Sequence, residues 1–364
     1  MSTRAASLRD LMAPFTRRST PIALSLFIGD ILLLGLWTWA AVYSDPVPLK
    51  ILFSLLAGDR ISALFVIGHD AAHGAYTGSR RLNQIIGRIA FLPSLHNYSL
   101  WQVAHNRKHH RFPNLKGLNS WSPLSPSEYR ALSPARKLLQ RFYRSPLGFG
   151  PYYVLNRWLP DKFYPTHRVA GKVTAAFWYD FALLAGFIIL WLSALATLGS
   201  ALPNTTPWKA ILWGGVIPFA AWNYIMGLAI YLQHTNVRVP WFESEAEWQR
   251  CVEGQHDVTC HVAFPDWYNF ATHNIMQHVA HHIHPKIPLY RLHQAEKKLA
   301  EVLGQRFVAD RFTLSWLLRT MRDCKLYDYE GHRWLDFDGN ARSAPHLPGR
   351  PMRYDAQLLG QARG

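Results

Sequence analysis

Cysteine is nearly absent from this 364-residue chain. There are three, Cys251, Cys260 and Cys324, and no two stand at CxxC spacing. A disulfide framework and a thiolate metal site are therefore excluded as readings, and three unpaired thiols in a reducing compartment are expected. Carboxylates are also scarce: Asp and Glu number 23 against 39 Lys and Arg, a net charge of +16. No GxGxxG follows a strand-like run, so a flavin or nicotinamide fold has no fingerprint here. The excess of basic residues is spread over several loops and joins no familiar nucleic-acid motif, so no nucleic-acid partner is expected.

What is abundant is apolar. Hydrophobic residues make up 49% of the chain, with 15 Trp, 16 Tyr and 19 Phe. A chain both strongly basic and strongly apolar suggests a membrane protein. Four runs are long enough to cross a bilayer, which takes about 20 helical residues: 22–42, 49–68, 175–198 and 211–232. The basic start followed by an apolar run that long reads as an anchor with a basic flank, and a cleaved signal peptide is not expected. The second run carries Asp59 and Arg60, which are costly at that depth unless paired. Asp30 in the first run is the candidate partner of Arg60. Ile85–Leu100 is apolar but short, broken by Pro93 and His96, and is expected to be re-entrant or interfacial. The turns within each pair of runs have only Lys50 and Lys209 at their edges. The positive-inside rule then puts the N-terminus, the central loop and the C-terminal region on the cytoplasmic side. The expected fold is an all-α integral membrane protein. Its four transmembrane helices form two hairpins, and a cytoplasmic helical cap lies over them. The expected division is a basic cytoplasmic N-terminus (1–20), a membrane domain (21–300, with cytoplasmic segments 69–174 and 233–300) and a cytoplasmic tail (301–364).

Histidine is concentrated in three stretches, "HDAAHG" (69–74), "HNRKHH" (105–110) and "QHVAHHIHP" (277–285). Together with His234 in "YLQHTN" they fall on one side of the expected membrane. On a helix, residues three and four apart share a face. His69/His73, His105/His109 and His278/His282 stand at i, i+4, and His278/His281 at i, i+3. His110 and the His281–His282 pair widen each face into a clamp. The nine imidazoles His69, His73, His105, His109, His110, His234, His278, His281 and His282 exceed what one metal takes, roughly four to six ligands, and suit two. No set of Glu-x-x-His motifs of the soluble carboxylate-bridged type accompanies them, which narrows the class to an all-imidazole dinuclear site at a membrane surface. The isolated His96, His167, His256, His261, His293, His332 and His346 are expected to be structural hydrogen-bonders.

These residues resemble the integral-membrane fatty acid desaturase superfamily, whose pattern is HxxxH, then HxxHH or HxxxHH, then HxxHH. "HDAAH", "HNRKHH" and "HVAHH" match in order and spacing. "YLQHT…VPW" and "GRIAFLPSLHNYSLWQVAHNRKHHRFPNLKG" are similar to bacterial acyl-lipid Δ12 (ω-6) members. The similarity runs from about Gly68 to Leu299. Asn236 departs from it, standing where relatives have a further histidine.

The resemblance implies two iron ions (Fe2+) held by the nine histidines, O2 as co-substrate, and removal of two hydrogens from a fatty acyl chain. No catalytic residue is implied beyond the ligands. Asp70 and Asn106, and with them His273 and His284, are candidates for orienting the ligands from behind. With no Cys set for an iron–sulfur cluster and no HPGG-type haem segment, the electrons are expected from a separate ferredoxin or small haem protein with its reductase. Anionic membrane lipids would suit the basic face equally. A bacterial inner membrane is the expected location, with the active site on the cytoplasmic face. Two alternatives stay open: a membrane hydroxylase or carotenoid ketolase using the same boxes, and a non-catalytic metal-binding or transport protein. The latter would put ionisable residues at mid-membrane depth.

Overall fold

The computed structural model describes residues 7–167 and 171–346. The beginning of the expected N-terminal segment, residues 1–6, and the end of the expected tail, 347–364, lie outside the described residues.

Short α1 (Leu8–Met12) leads into α2 (Thr20–Tyr43) and α3 (Val47–Ala72). Each long helix has proline in its first turn, where the missing N–H would find no intrahelical partner anyway. "SDPVP" between them cannot continue a helix. An amphipathic α4 (Arg80–Phe91) and α5 (Tyr98–Ala104) follow, with a turn around Pro93 between them. The apolar run Ile85–Leu100 is therefore two helix fragments and a turn. After three short helices, α6 (Pro126–Ala131), α7 (Pro134–Tyr143) and α8 (Phe149–Tyr153), the chain enters α9 (Ala175–Ala201) and α10 (Pro207–His234). Helices α2, α3, α9 and α10 are long and apolar enough to cross a membrane. They extend the expected runs by a few residues at most ends. Ile28, Leu32, Leu36, Ile189 and Leu190 stand exposed on α2 and α9, an apolar belt larger than water-facing surfaces carry.

Helix α3 is the buried centre of the four and packs against α2, α4 and α10. Close approach to α8 is set by Gly227 of α10, where a Cβ would strike the Phe149 backbone. The ionic residues at depth are paired. Arg60 Nη1 donates to Asp30 Oδ1 at 2.7 Å and Nη2 to the Ala271 carbonyl at 2.6 Å, while Asp59 and His273 complete the cluster. Asp180 on α9 accepts from Arg88 Nε and from the Ser99 N–H, both at 2.7 Å.

The remaining elements are α11 (Glu245–Cys251), β1 (His261–Ala263), α12 (Asp266–Ala271), α13 (His278–Ile283), α14 (Leu289–Leu303), β2 (Ala309–Arg311), α15 (Leu314–Asp323), β3 (Leu326–Asp328) and β4 (Arg333–Leu335). Strand β1 pairs parallel with β2, and β3 pairs antiparallel with β4. The described residues are predominantly helical, as expected, with these two small sheets added; three-residue strands are too short to leave an alternating signature. Residue 300 is the boundary expected between the membrane domain and the tail. It falls inside α14, and residues 301–346 are folded onto the rest, with Trp241, Cys324, Tyr327 and Trp334 sharing a buried cluster.

Candidate metal centre

The histidines of the three stretches are brought together by four elements. His69 sits in the last turn of α3, His73 caps that helix, and His234 ends α10. His278, His281 and His282 lie on α13, a helix of six residues that is almost wholly buried. The second stretch does not form an α-helix. His105–His109 is a π-turn continuing α5, with the His110 N–H bonded to the His105 carbonyl five residues back at 3.1 Å. The i, i+4 pairing expected of His105 and His109 is thereby replaced: His105 and His110 share a direction, and His109 points elsewhere.

The result is two groups. His69, His73, His105, His110 and His281 offer ligand atoms that all lie within 4.8 Å of one another, and so do His109, His234, His278 and His282. The second and third stretches each serve both groups, and only the first serves one.

Electrostatics make these lone pairs informative. Burial, reinforced by neighbouring imidazoles, holds His73, His105, His110, His278, His281 and His282 well below the ordinary imidazole range. His109 is pushed down to about 4, again by burial first. The rings are therefore neutral, each with one N–H and one acceptor nitrogen. Three amides decide which is which. Asn119 donates its NH2 to the Phe112 and Leu115 carbonyls, so its oxygen faces His109 Nδ1 at 2.5 Å. Asn114 donates to Pro240 and His234 carbonyls and turns its oxygen to His234 Nδ1 at 3.1 Å. Gln255 donates to the His110 carbonyl and accepts from His282 Nδ1 at 2.7 Å. In His109, His234 and His282, with Nδ1–H committed outward, Nε2 carries the lone pair inward. Nε2 atoms then meet each other: His234 and His278 at 2.9 Å, His278 and His282 at 2.9 Å, His105 and His110 at 2.9 Å. His73 Nε2 is buried with no hydrogen-bond partner. Converging lone pairs on neutral rings repel unless a cation lies between them. The residues present fit a pair of metal ions that accept nitrogen ligands.

Beside the two groups lies a cavity open to solvent at its mouth. Phe65, Val66, Trp101, Met226, Ile230 and Ile275 line it, and six of the nine imidazoles border it. Arg157 and buried Lys162 face the same space. Burial lowers the lysine to about 7.

Residues 46–313 match the family model for fatty acid desaturases. The chain belongs to the fatty acid desaturase family. It is 28% identical over 281 residues to the chloroplastic omega-6 fatty acid desaturase of Glycine max, covering 75% of this chain and 61% of that protein. It is 26% identical over 286 residues to an sn-1 oleoyl-lipid 12-desaturase of Picosynechococcus sp., covering 78% of each. Over 291 residues it is 28% identical to an sn-1 acyl-lipid omega-3 desaturase (ferredoxin) of Nostoc sp., covering 78% of this chain and 77% of that one. The chain thus spans about three fifths of the length of the plant desaturase it matches.

Of the residues expected to orient the histidines from behind, Asp70 lies against one of them. Its Oδ1 lies 3.3 Å from His69 Nδ1, and its Oδ2 accepts the Leu289 N–H at 2.5 Å, tying α3 to α14. Asn106, His273 and His284 make no hydrogen bond to a box imidazole. Asn106 donates to the Ala72 carbonyl, His273 pairs with Asp30, and His284 accepts from the Lys286 N–H. The supporting residues the sequence did not reveal are Asn114, Asn119, Gln255 and Glu296, the last accepting the Ala280 N–H at 2.6 Å. Single polar residues in loops carry no periodicity; the closeness of Asn114 and Asn119 to the second stretch was the only cue. Three of the isolated histidines hydrogen-bond other side chains: His96 bonds Tyr153, His261 bonds Glu296 and His332 bonds Glu247. Asp70→Asn keeps the shape and swaps a charged acceptor for a neutral amide. Iron affinity is expected to fall about 10–100-fold, read by competition with a chelator. Unchanged affinity would remove Asp70 from the support of the site.

Proposed function

We propose that the chain is an O2-dependent acyl-lipid desaturase of the Δ12/ω-6 type, with two iron ions held by the nine histidines. The observation that carries this is the convergence of two all-imidazole groups against one apolar cavity. Bound iron would supply, with dioxygen, an oxidant able to take hydrogen from an unactivated C–H bond. Two hydrogens leave adjacent carbons, two electrons come from an outside donor with two protons, and dioxygen leaves as two waters.

The chain's own residues do the rest. Phe65, Met226, Ile230 and Ile275 bind methylenes and keep water from the reacting carbons. Because methylenes are chemically alike, position along the acyl chain has to be set by where the cavity stops. Asn114, Asn119, Gln255 and Asp70 fix ring orientation before any ligand binds. The four apolar helices support a multi-pass arrangement of two hairpins. The basic loops support a cytoplasmic face for the site in a bacterial inner membrane. The names of the cyanobacterial relatives support a lipid-borne acyl chain and a ferredoxin donor.

The test is mass spectrometry of total fatty acids from a bacterial host that expresses this chain. Empty vector and His281→Ala run alongside. A new diene in the wild-type culture alone is expected, with its second double bond at the Δ12 position. A hydroxylated chain would overturn the reaction. Unaltered acyl chains, with iron-loaded protein and ferredoxin present, would overturn the substrate.

A further inference from the structure

The electrons need a way in, and the apolar cavity is the place of the acyl chain. A second cavity reaches the imidazoles from another side: it touches His73, which the first does not. Helix α5 divides the two. Tyr98 and Gln102 face this cavity, whereas Trp101 and His105 face the apolar one.

Its lining is polar, and its charge is of one sign. Arg18, Arg80 and Lys286 contribute cations and no carboxylate joins them. Arg9 lies within electrostatic reach of Lys286. Among the described residues, none of these four pairs with an acid within 4 Å. Asp70 serves His69 and the Leu289 N–H, and Asp10 accepts from Ser7. The polar neighbours are likewise spent internally, Gln102 on the Ala72 carbonyl and Asn83 on Thr77. Arg18 and Arg80 are exposed and uncommitted. Gly74, at φ +64, follows His73 directly, and the Lys286 ammonium donates to the His73 carbonyl.

We propose that this surface docks an acidic one-electron carrier protein, with carboxylates of the carrier on Arg18 and Arg80 and His73 as the nearest ligand to it. The inference rests on the desaturase reading above. Each encounter oxidises the carrier by one electron, and two encounters serve one double bond. Charge complementarity of this kind acts mainly on encounter rate, which falls as salt screens it. An anionic lipid headgroup would satisfy the same cations, and the test separates the two.

The full-length protein is reconstituted in neutral-lipid nanodiscs. Turnover is measured with a plant-type ferredoxin and its reductase at graded salt, and separately with dithionite and a viologen mediator. The variant is R18E/R80E, and R136E/K137E on α7 is the control. The expected result is a rise of about tenfold or more in the ferredoxin KM and a flattened salt dependence. Iron content and dithionite turnover stay unchanged, and the control matches wild type. Should the double variant lose iron, Arg80→Gln reads the same shift at smaller size. Ferredoxin kinetics unchanged in both variants would overturn the proposal. So would unchanged kinetics with lost binding to anionic vesicles, which would assign the cations to lipid. Wild-type protein without product from dithionite would overturn the desaturase reading, and this one with it.

Discussion

His278→Ala is expected to abolish the proposed diene and to strip iron from one imidazole group while the other stays loaded. His281→Ala gives the same loss of product with the opposite group emptied. The reasoning is geometric. His278 belongs with His109, His234 and His282, where its Nε2 lies 2.9 Å from two of the other three. His281 belongs with the five-membered group. Altering a residue behind a ligand typically costs 10–100-fold; removing the ligand itself should lower product by more than about 100-fold. Iron per chain is measured by plasma mass spectrometry, and Mössbauer spectra show which environment is lost. If both variants lose the same spectral component, or neither loses iron, the division into two groups is wrong.

Arg60→Ala is expected to destabilise the chain by about 3–5 kcal/mol, the range for breaking a buried charge pair from one side. The side chain is a hub. It joins Asp30 of α2, its neighbour Asp59 and the Ala271 carbonyl, and Asp30 in turn holds His273. Removing the guanidinium leaves a carboxylate with reduced compensation inside an apolar helix pair, where water is scarce. The double variant Arg60→Ala/Asp30→Ala removes both charges and should lose less than the sum of the two single variants. Thermal unfolding in detergent reads all three. Strict additivity would mean that the pair does not hold α2 and α3 together.

Much of this was legible in the sequence because it depends on length and spacing. A helix able to cross a bilayer needs a long, mostly apolar run, so α2, α3, α9 and α10 stand out. The nine histidines stand out for the same reason, as does the pairing of Asp30 with Arg60, since two charges in adjacent apolar runs have few other partners. What stayed hidden depends on conformation. Nothing in "HNRKHH" distinguishes a π-turn from an α-helix, so the sharing of His105 with His110 could not be read. Asn119 and Gln255 act through the direction of an amide, which only the carbonyls around them determine. The segment after residue 300 lacks long apolar runs, and its folding rests on a few buried aromatics, Tyr327 and Trp334 among them.

The π-turn also bears on how the cavity and the centre communicate. Trp101 lines the cavity and stacks on the His105 ring, with centroids 4.2 Å apart. His105 and His110 belong to one imidazole group, and His109, in the same turn, belongs to the other. A ligand that shifts Trp101 on entering the cavity would shift a turn with arms in both groups. Linkage is reciprocal, so in that case metal loading of the imidazoles and filling of the cavity would alter each other's affinity by the same factor.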